Sequence, residues 1–108
     1  MIRPERLALL RSGQPFAYAD GIASNGDGVS FQVLDQSLGR LVVGGSVLLV
    51  PLGLEEDDEG RPGWFVPLGR VQAWEDGAPV DEEERAAIAA VLRRAIEAGG
   101  AYAVIAAS

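Results

Sequence analysis

The sequence predicts an α+β domain: a mostly antiparallel sheet of about five or six strands, one long helix packed on one face, and a final strand after it. Three observations carry this. From residue 13 to about residue 74, short apolar runs alternate with glycine-rich turns, as in antiparallel strands. Ile88, Val91, Leu92, Ala95 and Ile96 fall at the spacing of one apolar helical stripe. Gly99 and Gly100 then separate that stripe from the apolar run "AYAVIA".

Taken in order, "PERLALLR" at residues 4–11 reads as a short helix. Pro4 suits a first helical position, Glu5 favours the positive helix end, Gly13 follows as a stop, and Leu7 and Leu10 form the buried side. "YADGIAS" and "GVSFQVLD" flank "NGDG", where Asn-Gly tolerates the positive backbone angles of a tight hairpin. Val29, Phe31 and Val33 alternate with Ser30 and Gln32, giving one buried and one wet face. "GRLVV" and "SVLLVPL" form two more strands around Gly44-Gly45, and the unbroken run Leu48, Leu49, Val50 predicts a strand covered on both faces.

The polar loop "GLEEDDEGRPG" leads to "WFVPLGRVQAW", where Pro67 and Gly69 predict a bulge or an edge position. A long helix follows over about 81–98. Asp81 is the expected N-cap, with Glu84 three residues on as an acidic capping box, and Glu82, Glu83 and Glu84 sit where the helix dipole favours negative charge. Gly99-Gly100 supplies the left-handed stop. "AYAVIA" reads as a well-buried closing strand with Tyr102 and Val104 on one face and Ile105 on the other. If it runs parallel to the strand before the helix, the crossover should be right-handed.

The chain of 108 residues is the size of one domain with one core, and no boundary divides residues 1–108. It contains no cysteine and no histidine. That removes disulfides, thiolate nucleophiles, cysteine-ligated metals, the usual neutral-pH general base and the hydrolytic triads. The N-terminal apolar run is too short and too charged for a signal core or a membrane span, so the cytoplasm is the expected location. A net charge of -7 disfavours nucleic acid and anionic membranes as partners. Residues 53–84 hold eleven acids against Arg61 and Arg70, a net of -9, so the whole deficit lies in that segment.

No catalytic, metal or cofactor constellation emerges. Paired-carboxylate catalysis needs two carboxyls converging across a cleft in different environments, whereas these acids are neighbours in a loop or in a first helical turn. Neither "EEDDEG" nor "DGIASNGDG" has the alternating ligands, sixth-position glycine and twelfth-position glutamate of an EF-hand. A phosphate loop of the Walker type requires a lysine, and the chain has none. Trp64 and Trp74 flank the last strand region, and either can be core or interface anchor. The run Glu55, Glu56, Asp57, Asp58, Glu59 has no folding role visible in the sequence, so it is a solubility feature or a surface for a basic partner.

The segment "WFVPLGRVQAWEDGAPVDEEERAAIAAVLRRAIEAGGAYAVI" resembles the C-terminal half of the Immunity protein 74 family of bacterial polymorphic-toxin and contact-inhibition systems. The matching features are Val71 with Trp74, the turn "EDGAP", the helix start "VDEEER", the apolar stripe and the strand over 102–105. "GRLVVGGSVLLVP" resembles that family's middle hairpin, so the likeness covers the last two thirds of the chain. The insertion "EEDDEGRPG" and the N-terminal helix depart from the pattern.

The resemblance implies a non-enzymatic immunity protein that neutralises a cognate, basic toxin domain by tight non-covalent binding. The acidic segment would be the complementary face. On this expectation Glu55, Glu56, Asp57, Asp58 and Glu59 steer and pair with the toxin's basic residues, Glu75 and Asp76 extend the face, and Trp64 anchors it. Replacing the five acids of the loop should weaken binding without unfolding the protein. The rival expectation is a small structural or ligand-binding module without catalytic activity, monomeric or homodimeric, marked by an apolar pocket or an apolar sheet face.

Overall fold

The structure is a computed structural model that describes residues 2–107. Helix α1 spans Arg3–Leu10 and is followed by strands β1 (Ala17–Ala19), β2 (Ile22–Ser24), β3 (Val29–Asp35), β4 (Leu38–Val43), β5 (Ser46–Pro51), β6 (Gly53–Glu56) and β7 (Pro62–Val66). A 3-10 turn at Leu68–Arg70, helix α2 (Glu82–Ala98) and strand β8 (Tyr102–Ile105) complete the chain. The α+β class, the antiparallel sheet and the long helix with its closing strand are as the sequence predicts. The strands, however, form two sheets: a five-stranded antiparallel meander β1-β2-β3-β4-β5, and a smaller sheet β6-β7-β8 in which β7 and β8 run parallel.

Turn chemistry explains the meander. Asp20-Gly21 and Gly44-Gly45 both adopt positive φ (54° and 82°, 55° and 91°), the requirement of two-residue hairpins whose twist matches the strands. "YADGIAS" is therefore not one strand but the hairpin β1-β2, split by Asp20-Gly21. The "NGDG" hairpin forms as expected: Asn25 Oδ1 accepts from the Asp27 and Val29 N–H groups at 2.8 and 3.2 Å.

One core joins both sheets to the helix. Helix α2 buries Ile88, Val91, Leu92, Ala95 and Ile96, the predicted stripe, against Leu41, Val43, Leu48, Val50, Val66 and Leu68 from the strand side. The opposite face of the meander is open. Leu49 is 45% exposed between two buried neighbours, so β5 is covered on one face only. Three apolar residues in a row gave the contrary expectation, but side chains alternate along a strand and no layer covers that side. Likewise "WFVPLGRVQAW" is neither an edge strand nor a bulged one. β7 is the central strand of its sheet, and Pro67 ends it at the 3-10 turn. β8 is an edge strand with Val104 exposed, less buried than the sequence suggests.

Helix α1 docks on the start of α2 through charge. Asp81 caps α2 by accepting the Glu84 N–H at 2.8 Å. The expected capping box stops there, because Glu84 does not turn back to the cap. Its side chain is fully buried and takes the Arg6 Nε at 3.0 Å, while the Arg6 guanidinium lies over the Trp74 ring, 4.8 Å from its centroid. Arg3 pairs with Asp81 and Glu83, and Arg11 with Glu83 at 3.2 Å. Asp81, Glu83 and Glu84 thus receive the arginines of α1 and of its C-cap, Arg11, as well as the helix dipole.

The hydrogen bonds from Arg3 are the main cause holding the Asp81 and Glu83 carboxyls below the usual carboxylate range. A depressed folded pKa contributes stability that is present above the unfolded value, near 4, and is lost as pH falls through the lower folded value. Arg3→Ala should therefore be destabilised at pH 7, with the gap from wild type closing as both are taken down towards pH 2. Urea denaturation across that range measures it, and a pH-independent gap would contradict the assignment.

Candidate interaction site

The acidic run is the tip of the β6-β7 hairpin. Glu55 and Glu56 close β6, in register with Gly63 and Pro62, and Asp57, Asp58 and Glu59 form the turn. Asp57 has a folding role, contrary to the expectation that the whole run is free of one. Its Oδ1 accepts the Glu59 and Arg61 N–H groups at 3.0 and 2.8 Å, and its Oδ2 pairs with Arg61 Nε at 3.0 Å. These bonds close the turn and, led by the Arg61 N–H, hold the Asp57 carboxyl below its ordinary range. Glu55, Glu56, Asp58 and Glu59 are exposed, and none of the four has an ion-pair partner among the described residues.

β6 lies at the edge of the second sheet, so one of its backbone edges is unpaired. Glu55, Gly63 and Tyr102 form one cross-strand row, and Leu54, Trp64 and Ala103 the next. Successive side chains point to opposite faces, which places Trp64 on the side away from Glu55 and Tyr102. A side chain on Gly63 would stand 2.3 Å from the Tyr102 ring, so the glycine lets that ring lie flat on the sheet. Arg61 stacks over the ring at 5.4 Å. Burial first, and then the charges of Glu55 and Asp57, push the Tyr102 hydroxyl above its usual pKa.

Glu75 and Asp76 belong to a different place. The Glu75 N–H bonds the Val47 carbonyl at 2.9 Å, beside the Gly44-Gly45 turn, and Asp76 Oδ1 accepts the Ala78 N–H at 2.9 Å. From Val47 to Glu55 the chain follows β5 and β6, a path of about 26 Å at ~3.3 Å per residue. The two exposed acidic groups therefore mark opposite ends of that run, whereas Asp81, Glu83 and Glu84 line the junction with α1. Trp74 is core, 2% exposed, and its indole N–H has no hydrogen-bond partner among the described residues. Trp64 is half-buried and lines a cleft instead.

The displaced carboxylates, Asp35, Asp57, Asp81 and Glu83, all move downward, opposite to the shift that a general acid at neutral pH needs. Among the described residues no group of three or more acids is placed to hold a metal ion, and no helix is long and apolar enough to cross a membrane. Compared with family models, with curated proteins and with solved structures, the chain matches none.

Sequence reasoning missed Arg6, Arg61 and Tyr102 as members of these clusters. Arg3 and Arg6 stand three apart on one helix, a spacing that presents both to one neighbour, and this was the available signal.

Proposed function

We propose that this protein is a non-enzymatic, cytoplasmic binding protein of the immunity type, which neutralises a basic toxin domain through the β6-β7 hairpin. The observation that carries the reading is the set of four exposed carboxylates, on the end of β6 and on the turn stiffened by Asp57, that have no ion pair among the described residues and lie beside an unpaired strand edge. An unpaired acidic cluster repels itself and repays that cost when a basic surface covers it. Stable interfaces cover about 800 Å² per partner, so the toxin would span the hairpin together with the β6 edge and the Tyr102 row. Glu75 and Asp76 then contribute long-range steering more than direct contact.

Affinity purification of the tagged protein from its source cells, at low and at high salt, tests the reading. A stoichiometric basic toxin domain that dissociates more readily at high salt supports it, since screening shortens to about 3 Å at 1 M. The combined variant Glu55→Gln, Glu56→Gln, Asp58→Asn, Glu59→Gln, which spares Asp57, should keep its melting temperature. It should associate with that partner on the order of tenfold more slowly at low salt. Unchanged association by the folded variant would end the assignment of the hairpin.

A further inference from the structure

The half-buried Trp64 points to a second site, independent of the acidic hairpin. Where the β1-β2 hairpin, β3 and the C-terminal end of α2 meet β7, a cleft of about 220 Å³ remains open. Its aromatic lining comes from three strands, with Tyr18 on β1, Phe31 on β3 and Trp64 on β7. Ala95, Gly99 and Ala101 on the helix side leave the space that longer side chains would fill. The Tyr18 ring sits directly on the helix end, 3.3 Å from where a Gly99 side chain would begin. Phe31, Ala95 and Ile96 are buried, whereas Tyr18 is 54% exposed and Val33 lies at the surface. The cleft thus has a covered apolar interior and an accessible apolar mouth.

We infer that this cleft binds a small uncharged aromatic molecule of one or two rings. Size sets the upper bound: an apolar cavity on the order of 150 Å³ takes benzene, and drug-sized ligands occupy about 300–1,000 Å³. Chemistry sets the class. Among the described residues no charged side chain lines the cleft, so a charged ligand would be desolvated without a partner. Three aromatic rings favour a ring stacked or edge-on between them. The Tyr18 hydroxyl and the Trp64 indole N–H supply the polar groups that the lining side chains carry, enough to orient one heteroatom.

The test uses indole as probe on the full-length, isotope-labelled protein, followed by two-dimensional NMR. Indole on the order of 1 mM should give saturable shifts centred on the Trp64 indole N–H, Ala95, Ile96 and Ala101, with Trp74 little affected. Benzylammonium and phenylacetate should give none. Ala101→Leu, which fills the cleft from a half-buried position, should weaken indole at least tenfold while its spectrum stays dispersed. If that variant unfolds, Trp64→Leu, which deletes one of the three lining rings, replaces it with the same expected loss. Linear, non-saturating shifts in wild type, shifts scattered away from the cleft, or undiminished binding by the folded variants would overturn the assignment.

Discussion

Glu84→Ala should cost about 3–5 kcal/mol of unfolding free energy, a large part of the roughly 5–15 kcal/mol available to a domain of this kind. The Glu84 side chain is 0% exposed and the Arg6 side chain 3%, with 3.0 Å between Oε2 and Nε. Removing the carboxylate leaves a buried guanidinium without the anion it faces, still stacked on Trp74. Arg6 has no route to water without lifting α1, whose Leu7 and Leu10 are buried beside it. The variant should therefore lose the α1 contact early in urea and shift the near-ultraviolet signal of Trp74. The double variant Arg6→Met, Glu84→Leu removes both charges and replaces them with apolar volume. It should be more stable than Glu84→Ala, because the cost arises from a buried guanidinium that has lost the carboxylate it faces and not from absence of the pair. A Glu84→Ala protein within 1 kcal/mol of wild type would show that the pair is not closed to solvent.

This burial explains why part of the fold was legible in the sequence and part was not. Residues 88–96 announce α2 because a 3.6-residue period is a local property, and Asp81 and Gly100 mark its ends by their own chemistry. Asp20-Gly21 carries the same turn signal as Asn25-Gly26, so the extra hairpin was written there, inside a run that reads as one strand. Asp57 was also legible in principle, since an aspartate two and four residues before the N–H groups it accepts is a turn signature. The partner of Glu84 was not legible. Arg6 stands 78 positions away, and nothing local distinguishes a helix-start glutamate facing water from one facing an arginine. The second sheet was hidden for the same reason, since β7 finds β8 only across the whole of α2. The site divides along this line too: the charge of the hairpin is sequence information, while the separation of Glu55 from Trp64 and from Glu75 comes from register.

The second large effect is expected at Arg85. Between β7 and α2 the chain crosses residues 68–80 with a 3-10 turn and an isolated bridge from Ala73 to Pro79, whose backbone bonds pair only part of its carbonyls. Arg85, 9% exposed, reaches back from the first turns of α2 and supplies the missing donors. Its Nη1 donates to the carbonyls of Leu68 and Val71 at 2.7 and 2.6 Å, and its Nη2 donates to Val80 at 3.2 Å. One rigid planar fork thus fixes both ends of the connection, and a lysine cannot copy it, because three donors on a single nitrogen do not span that geometry. Arg85→Met keeps most of the side-chain volume but leaves the Val71 and Val80 carbonyls without this donor, at about 1–3 kcal/mol for each, while the Leu68 carbonyl retains the Val71 N–H at 3.1 Å. A loss of about 3 kcal/mol or more is expected, with Arg85→Lys falling between that variant and wild type. The damage should be local as well as global. Backbone amides at 71, 74 and 80, which bond within this connection, should exchange with solvent faster than those of the β6-β7 hairpin. Because the acids of the hairpin are held by Asp57 and Arg61 and not by Arg85, the folded fraction of Arg85→Met should keep its rate of association with a basic partner. Equal acceleration of exchange in both regions, or a stability change under 1 kcal/mol, would mean that the connection is held by something other than this guanidinium.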